Sequence, residues 1–216
     1  MGEFERDAER IIAARNRETA ETVSALKARY ESAVYGRVRV WDMVEKLSLC
    51  IDPTDRRLFC GSQLVHLQQI LAAMERNGVT DPDMHVLAIV HDLGKVLLAA
   101  GEAPEHVVGG TRRISRGVEG EGLDSALFQF GHGEFIYSRL RGHVPDHVAW
   151  VARYHNVSMS DVERLMNAQE REWAEKYLKP FRRFDADFVS PYFLPKIDLA
   201  HYRDLIERTF PTPLLV

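Results

Sequence analysis

Pro82-Asp-Met-His-Val-Leu-Ala-Ile-Val-His91-Asp92-Leu93-Gly94-Lys95-Val-Leu-Leu-Ala-Ala100 places three neighbouring ionisable groups inside an otherwise oily run. The run predicts a helix over roughly 82–100 that is apolar on most faces and therefore buried. Its ends carry their own signals: Asp81 as N-cap, Pro82 at the first helical position, and Gly101 after the last apolar residue. His91 and Lys95 are one turn apart, as are Asp92 and Lys95, so the imidazole, carboxylate and ammonium share one sector. Burying such groups costs several kcal/mol each unless they are paired or bound to metal. Two readings follow from this stretch: a satisfied core histidine beside a buried Asp–Lys pair, or part of a metal site. The other histidines decide between them.

The chain has 216 residues, 45% of them hydrophobic and 28% charged, which suits one domain with a full core. Its net charge of −4 argues against nucleic acid or an anionic membrane as the main partner. No signal peptide and no apolar run of transmembrane length is apparent, so the expected location is cytoplasmic. Cys50 and Cys60 then read as reduced thiols rather than a disulfide framework.

Residues 3–30 read as a charged, exposed helix that packs only near Val23, Leu26 and Tyr30. This gives an N-terminal arm over 1–30 and a catalytic domain over 31–216. Trp41, Val44, Leu47 and Leu49 mark a second helix, Asp52-Pro-Thr-Asp55 a turn, and Ser62 to Met74 a third helix. Glycines from Gly109 to Gly131 mark an irregular stretch, a candidate substrate loop. Helices follow from Gly131, from Asp146 to Tyr154, from a Ser160-x-x-Glu163 capping box until Pro180 bends or breaks it, and from Leu199 to Phe210. No strand, repeat or linker stands out. The fold class is all-α.

Of nine histidines, His85, His106, His143, His147 and His201 lie among charged or loop residues and read as surface groups. His66, His91, His132 and His155 lie within or at the ends of apolar helices, and Asp92 and Asp185 share that setting. Four imidazoles and two carboxylates spread over core helices are the inventory of a dinuclear metal site in a helix bundle. Mixed nitrogen and oxygen donors suit iron or manganese. A single metal would need only His66, His91, Asp92 and Asp185, leaving His132 and His155 unexplained; two metals use all six, with Asp92 as the bridge.

These residues resemble the HD-domain superfamily of metal-dependent phosphohydrolases and, more closely, the inositol oxygenases. The anchors are Asp52-x-x-Asp55, Leu64-Val-His66-Leu-Gln-Gln, His91-Asp-Leu-Gly-Lys-Val96, Gly131-His-Gly-Glu-Phe135, Arg153-Tyr-His155, Phe181-Arg-Arg-Phe-Asp185 and Tyr202-x-x-Leu-Ile-x-x-x-Phe-Pro211. They occur in family order from about residue 20 onward. The resemblance implies an HD-domain helical bundle around a dinuclear site. One iron would take His66, His91 and Asp185, the other His132 and His155, with Asp92 bridging. The cofactor would be a mixed-valent Fe(II)/Fe(III) pair with O2 as cosubstrate, acting on a small hydroxylated molecule whose C–C bond is cleaved. Lys95 would stabilise a substrate alkoxide, and Asp52 and Asp55 would bind substrate hydroxyls. Asp52 also suits a plain turn.

The chain departs from that family in its substrate shell. Gly110 and Asn156 stand at substrate-contact positions where the family has Asp and Ser, and Val189 stands in place of a Lys. The family's N-terminal arm, which brings an Arg to the substrate, looks absent, though the N-terminal helix is the natural source of a replacement. Arg112, Arg113 and Arg116 either meet an anionic group or are solvated loop charge. The expected function is therefore an O2-dependent diiron oxygenase for which myo-inositol is a poor substrate. An HD-domain phosphohydrolase is the alternative, and a ligand-binding domain without activity a third. Monomer and dimer remain equally open.

Overall fold

The computed structural model describes residues 2–32, 35–58 and 61–216. Its elements are the helices α1 (Glu3–Arg15), α2 (Ala20–Arg29), α3 (Val40–Lys46), α4 (Gln63–Arg76), α5 (Pro82–Val90), α6 (Val96–Ala99), α7 (His132–Leu140), α8 (Asp146–Tyr154), α9 (Met159–Val162), α10 (Ala168–Trp173), α11 (Lys179–Asp187) and α12 (Leu199–Thr209). The all-α reading holds. The described strands are β1 (Arg37–Val38) and β2 (Leu214–Leu215), antiparallel with Arg37 opposite Leu215 and Val38 opposite Leu214. Each is only two residues long, too short for an alternating pattern to show.

α5 is the hub. It buries Met84 and every residue from Val86 to Val90, and it packs on α4, α8 and α12. Asp81 caps it by accepting from the Asp83 amide, and Pro82 starts it. The expected helix over 82–100 is not continuous. It stops at Val90, turns through His91-Asp92, makes one 3-10 turn at Leu93–Lys95, and resumes as α6. Asp92 sits at φ −102°, ψ 2°, outside the helical well. The break swings its carboxylate among groups from α4, α7 and α8.

The N-terminal segment also differs from expectation. It forms two helices, and α1 buries Ala8, Ile11 and Arg15 rather than standing free. The Ser160-x-x-Glu163 box does not start a long helix: α9 is a single turn with Ser158 at its N-cap position and no side-chain capping hydrogen bond. The working capping box is Asn167 with Glu170, where each side chain accepts from the other's backbone amide. Pro180 does not break its helix. A π-turn over Ala174–Leu178 widens the spiral just ahead of α11, so the missing proline N–H is absorbed.

Among the histidines read as surface groups, His143 and His201 are exposed, while His85, His106 and His147 are half-buried. His147 stacks on Tyr177, with ring centroids 4.1 Å apart, and lies 2.9 Å from Asp83 Oδ2. Cys50 is buried with a free thiol; Cys60 lies outside the described residues.

Candidate metal centre

Six donors reach the centre from five parts of the backbone. His66 projects from α4, His91 and Asp92 from the break after α5, His132 from the first position of α7, His155 from the end of α8, and Asp185 from α11. Except for Asp185, which is partly covered, all are buried. His66, His91 and Asp92 form one group with donor atoms close enough for a metal ion, and Asp92, His132 and His155 form a second. Asp92 belongs to both. Its Oδ2 lies 3.3 Å from His91 Nε2, and its Oδ1 lies 3.2 Å from His132 Nε2 and 3.5 Å from His155 Nε2. Asp185 joins the first group, with Oδ1 2.9 Å from His66 Nε2 and 3.6 Å from His91 Nε2.

The backbone sets the tautomers. His91 Nδ1 donates to Ala88 O at 2.9 Å, His132 Nδ1 to Val107 O at 2.8 Å, and His155 Nδ1 to Ala152 O at 2.8 Å. A carbonyl only accepts, so each Nδ1 carries a proton and each Nε2 is directed inward, where the neutral ring offers a lone pair to a metal. His132 Nε2 and His155 Nε2 then face each other at 3.2 Å, lone pair against lone pair. His91 Nε2 and Asp92 Oδ1 are buried without hydrogen-bond partners. A cation between these atoms resolves both the repulsion and the orphaned acceptors, so the donor set fits bound metal.

The electrostatics separate the histidines: burial works against charge on His91, but Asp92 and Asp185 beside it push it up to about 10, so a metal ion must displace a proton there. Burial, unopposed by enough hydrogen bonding, pushes His155 down to about 4, which leaves it neutral as a ligand must be. Burial also works against charge on both carboxylates. Nonetheless Lys95 and His91 hold Asp92, and His66 and His91 hold Asp185, well below the usual carboxylate range. Lys95 is buried too. Its ammonium stays above the ordinary lysine value despite desolvation because Asp92 and Asp52 flank it, with Nζ 2.9 Å from Asp92 Oδ2 and 3.1 Å from Asp52 Oδ2. Gln63 completes the cradle, its Oε1 accepting from Nζ at 2.9 Å.

A cavity of about 360 Å³ opens over the cluster. It is lined by His66, Asp92, His132, His155 and Asp185, by Lys95, and by Asp52, Thr54, Asp55, Arg56, Arg57, Gly109, Gly110 and Asn156. All five positions read from sequence as substrate contacts (Asp52, Asp55, Lys95, Gly110 and Asn156) therefore face one space. Asp52 is also the turn residue it resembled, since its Oδ1 accepts from the Thr54 amide and hydroxyl while Oδ2 faces Lys95. Neither Val189 nor Arg112, Arg113 and Arg116 is part of this lining.

Sequence reading missed several supporting residues. Gln63 sits three positions before His66 on the same helix face, a spacing that was available as a signal. Arg56 and Arg57 follow Asp55 without any periodic pattern. Arg182 caps α8 by donating to His155 O at 2.7 Å and Tyr154 O at 3.2 Å. The N-terminal helix does supply an arginine at this end of the molecule. Arg15 of α1 donates to Glu105 O and Phe130 O at 3.0 Å and to Gly110 O at 3.4 Å, behind the glycine rim of the cavity.

Two buried donor groups that share a carboxylate beneath an open cavity, in an all-α bundle, define a helical metalloenzyme. The comparisons with known proteins narrow the class. The family model for myo-inositol oxygenase matches residues 6–119. Inositol oxygenase 1 of Arabidopsis thaliana is 26% identical over 226 residues, covering 82% of this chain and 72% of that protein. A probable inositol oxygenase of Oryza sativa subsp. japonica is 28% identical over 233 residues, covering 83% and 72%. Inositol oxygenase of Sus scrofa is 22% identical over 233 residues, covering 90% and 82%. The chain belongs to the myo-inositol oxygenase family and is an O2-dependent oxygenase.

Proposed function

We propose that the cluster holds two iron ions, working as a mixed-valent Fe(II)/Fe(III) pair, and that the enzyme oxidises and cleaves a C–C bond of a small hydroxylated substrate. The observation that carries this reading is the sharing of Asp92 between two donor groups in a member of an oxygenase family. His66, His91 and Asp185 would hold one ion and His132 and His155 the other, with Asp92 between them. When bound, the pair supplies the electrons and Lewis acidity that O2 activation and alcohol oxidation require.

The remaining steps belong to the protein. Lys95 holds a full positive charge in a dry site and stabilises a substrate oxygen as it loses its proton. Asp52 and Asp55 accept hydrogen bonds from substrate hydroxyls, and Asp52 keeps Lys95 aimed into the cavity. Gly110 and Asn156 shape the wall. Gly110 leaves open space, the nearest atom to a Cβ there being Asn156 O at 3.9 Å. Residues 1–30 act as an arm against the domain over 31–216, with Arg15 bracing the Gly110 loop. No helix among the described residues is long and apolar enough to cross a membrane, and a cytoplasmic location suits the free Cys50.

Metal analysis with Mössbauer spectroscopy of aerobically purified protein tests the iron pair. O2 uptake with a panel of cyclic and linear polyols tests the reaction. Myo-inositol is expected to turn over with weak saturation, because Gly110 and Asn156 offer no charged contact to its hydroxyls. Efficient conversion of myo-inositol would show that other residues rebuild the lost shell.

A further inference from the structure

The turn that follows Asp52 carries two arginines to the cavity, and neither guanidinium is used up by the fold. Asp55 Oδ1 accepts from the Arg57 amide at 3.1 Å and from its Nε at 3.2 Å. That grip fixes the base of the guanidinium while its two Nη groups have no hydrogen-bond partner among the described residues. Arg57 is exposed at the mouth of the cavity, with the carboxylates of Asp185 and Asp92 as well as Asp55 within reach of its charge. Arg56 lines the same cavity, is exposed, and has no side-chain partner among the described residues. Gly109 and Gly110 give their stretch of the rim no carboxylate.

The charge balance makes these arginines informative. Inside the cavity Lys95 lies between Asp52 and Asp92 and balances one of their two charges. Asp55 answers part of Arg57. The four lining carboxylates outnumber Lys95, Arg56 and Arg57 by one, so two metal ions of charge two or more would leave the loaded cavity positive, with Arg56 unpaired among the described residues and the Nη groups of Arg57 open at its mouth. A neutral polyol offers nothing to neutralise them. A planar guanidinium fork matches the paired oxygens of a carboxylate, phosphonate or phosphate and binds them in bidentate fashion.

We infer that the substrate is a hydroxylated molecule bearing an anionic group, with its hydroxyl end at Lys95 and the metal centre and its anionic end held by Arg57 and Arg56. This rests on the oxygenase reading above and names the substrate class for the same site.

The test is calorimetric binding to the iron-loaded, anaerobic enzyme, with myo-inositol as the neutral probe, myo-inositol 1-phosphate as the phosphorylated one and quinate as the carboxylated one. At least one anionic probe is expected to bind tenfold or more tightly than myo-inositol, and the stronger of the two identifies the anionic group. In the variant with Arg56→Gln and Arg57→Gln together, that preference should fall to threefold or less, whereas Arg57→Lys alone should keep most of it. Equal binding of all three probes overturns the inference. So does a preference that survives in the double variant, since it would then come from the metal. O2 uptake measured on the same preparations reports separately on the oxygenase reading: its absence with every probe counts against that reading and leaves the binding preference to be judged by itself.

Discussion

Gly94 lies against His132 so closely that a Cβ on Gly94 would stand 2.1 Å from the His132 carbonyl oxygen. The 3-10 turn that carries Asp92 and Lys95 is thereby pressed onto the start of α7, where His132 sits. Gly94→Ala must push these two segments apart. Overpacking of this kind costs about 1–3 kcal/mol or more, and the strain falls between the two donor groups. The variant is expected to melt several degrees lower and to hold the His132–His155 metal weakly. Thermal unfolding and metal content after dialysis check both effects.

His132→Ala removes one of the two imidazoles whose lone pairs face each other at 3.2 Å. The protein should keep about one iron per chain and lose O2 uptake. Full O2 uptake with one iron per chain would remove the second metal from the reaction.

Lys95→Ala takes away the cavity's buried ammonium, which touches Asp52, Asp92 and Gln63. Both irons should remain, because Lys95 is not itself a donor. Turnover should fall by roughly 100-fold or more, the scale on which a single charge-stabilising group acts. Iron stoichiometry and steady-state O2 uptake, measured together, separate lost chemistry from lost metal.

Glu134, which is not itself a donor, carries a pH dependence of its own. Burial opposes its ionisation most strongly. Even so, Arg153, with Nε 2.6 Å from Oε2, and Lys27, with Nζ 2.9 Å from Oε1, hold it below the ordinary glutamate value of 4.5. A carboxyl depressed in the folded state binds protons more readily when unfolded, so its stabilisation is present above about pH 4.5 and is lost as pH falls through the folded value. Glu134→Gln should lower stability near neutral pH and flatten the acid limb of a chemical-denaturation profile between pH 6 and roughly 3. An acid limb as steep as the parent's would remove Glu134 as its source.

Much of the centre was readable before any fold was known, for a chemical reason. A histidine or aspartate inside an apolar helical run violates the ordinary partition of polar and apolar groups, so His66, His91, Asp92, His132, His155 and Asp185 each stood out in one dimension. Their convergence is the three-dimensional counterpart of that conflict, since buried polar groups must find partners. The helical class and the hub at α5 were legible through periodicity and end signals, which act within a few residues.

Features that depend on distant contacts were not legible. The break of the 82–100 helix is set by Gly94 meeting His132, 38 positions later. The route of Arg15 into the carbonyls of Glu105, Gly110 and Phe130 is invisible along α1, where it reads as one more surface charge. Pro180 looked like a terminator because the π-turn that accommodates it leaves no mark in local propensity. Sequence by itself determined which groups could not be left unpaired in the core and which segments would be helical, because those follow from transfer free energy and short-range periodicity. Only the tertiary structure decided that Arg56 and Arg57 would reach the cavity and where the central helix would break. Those outcomes depend on close packing between segments far apart in the chain, and packing is resolved only when the whole core closes.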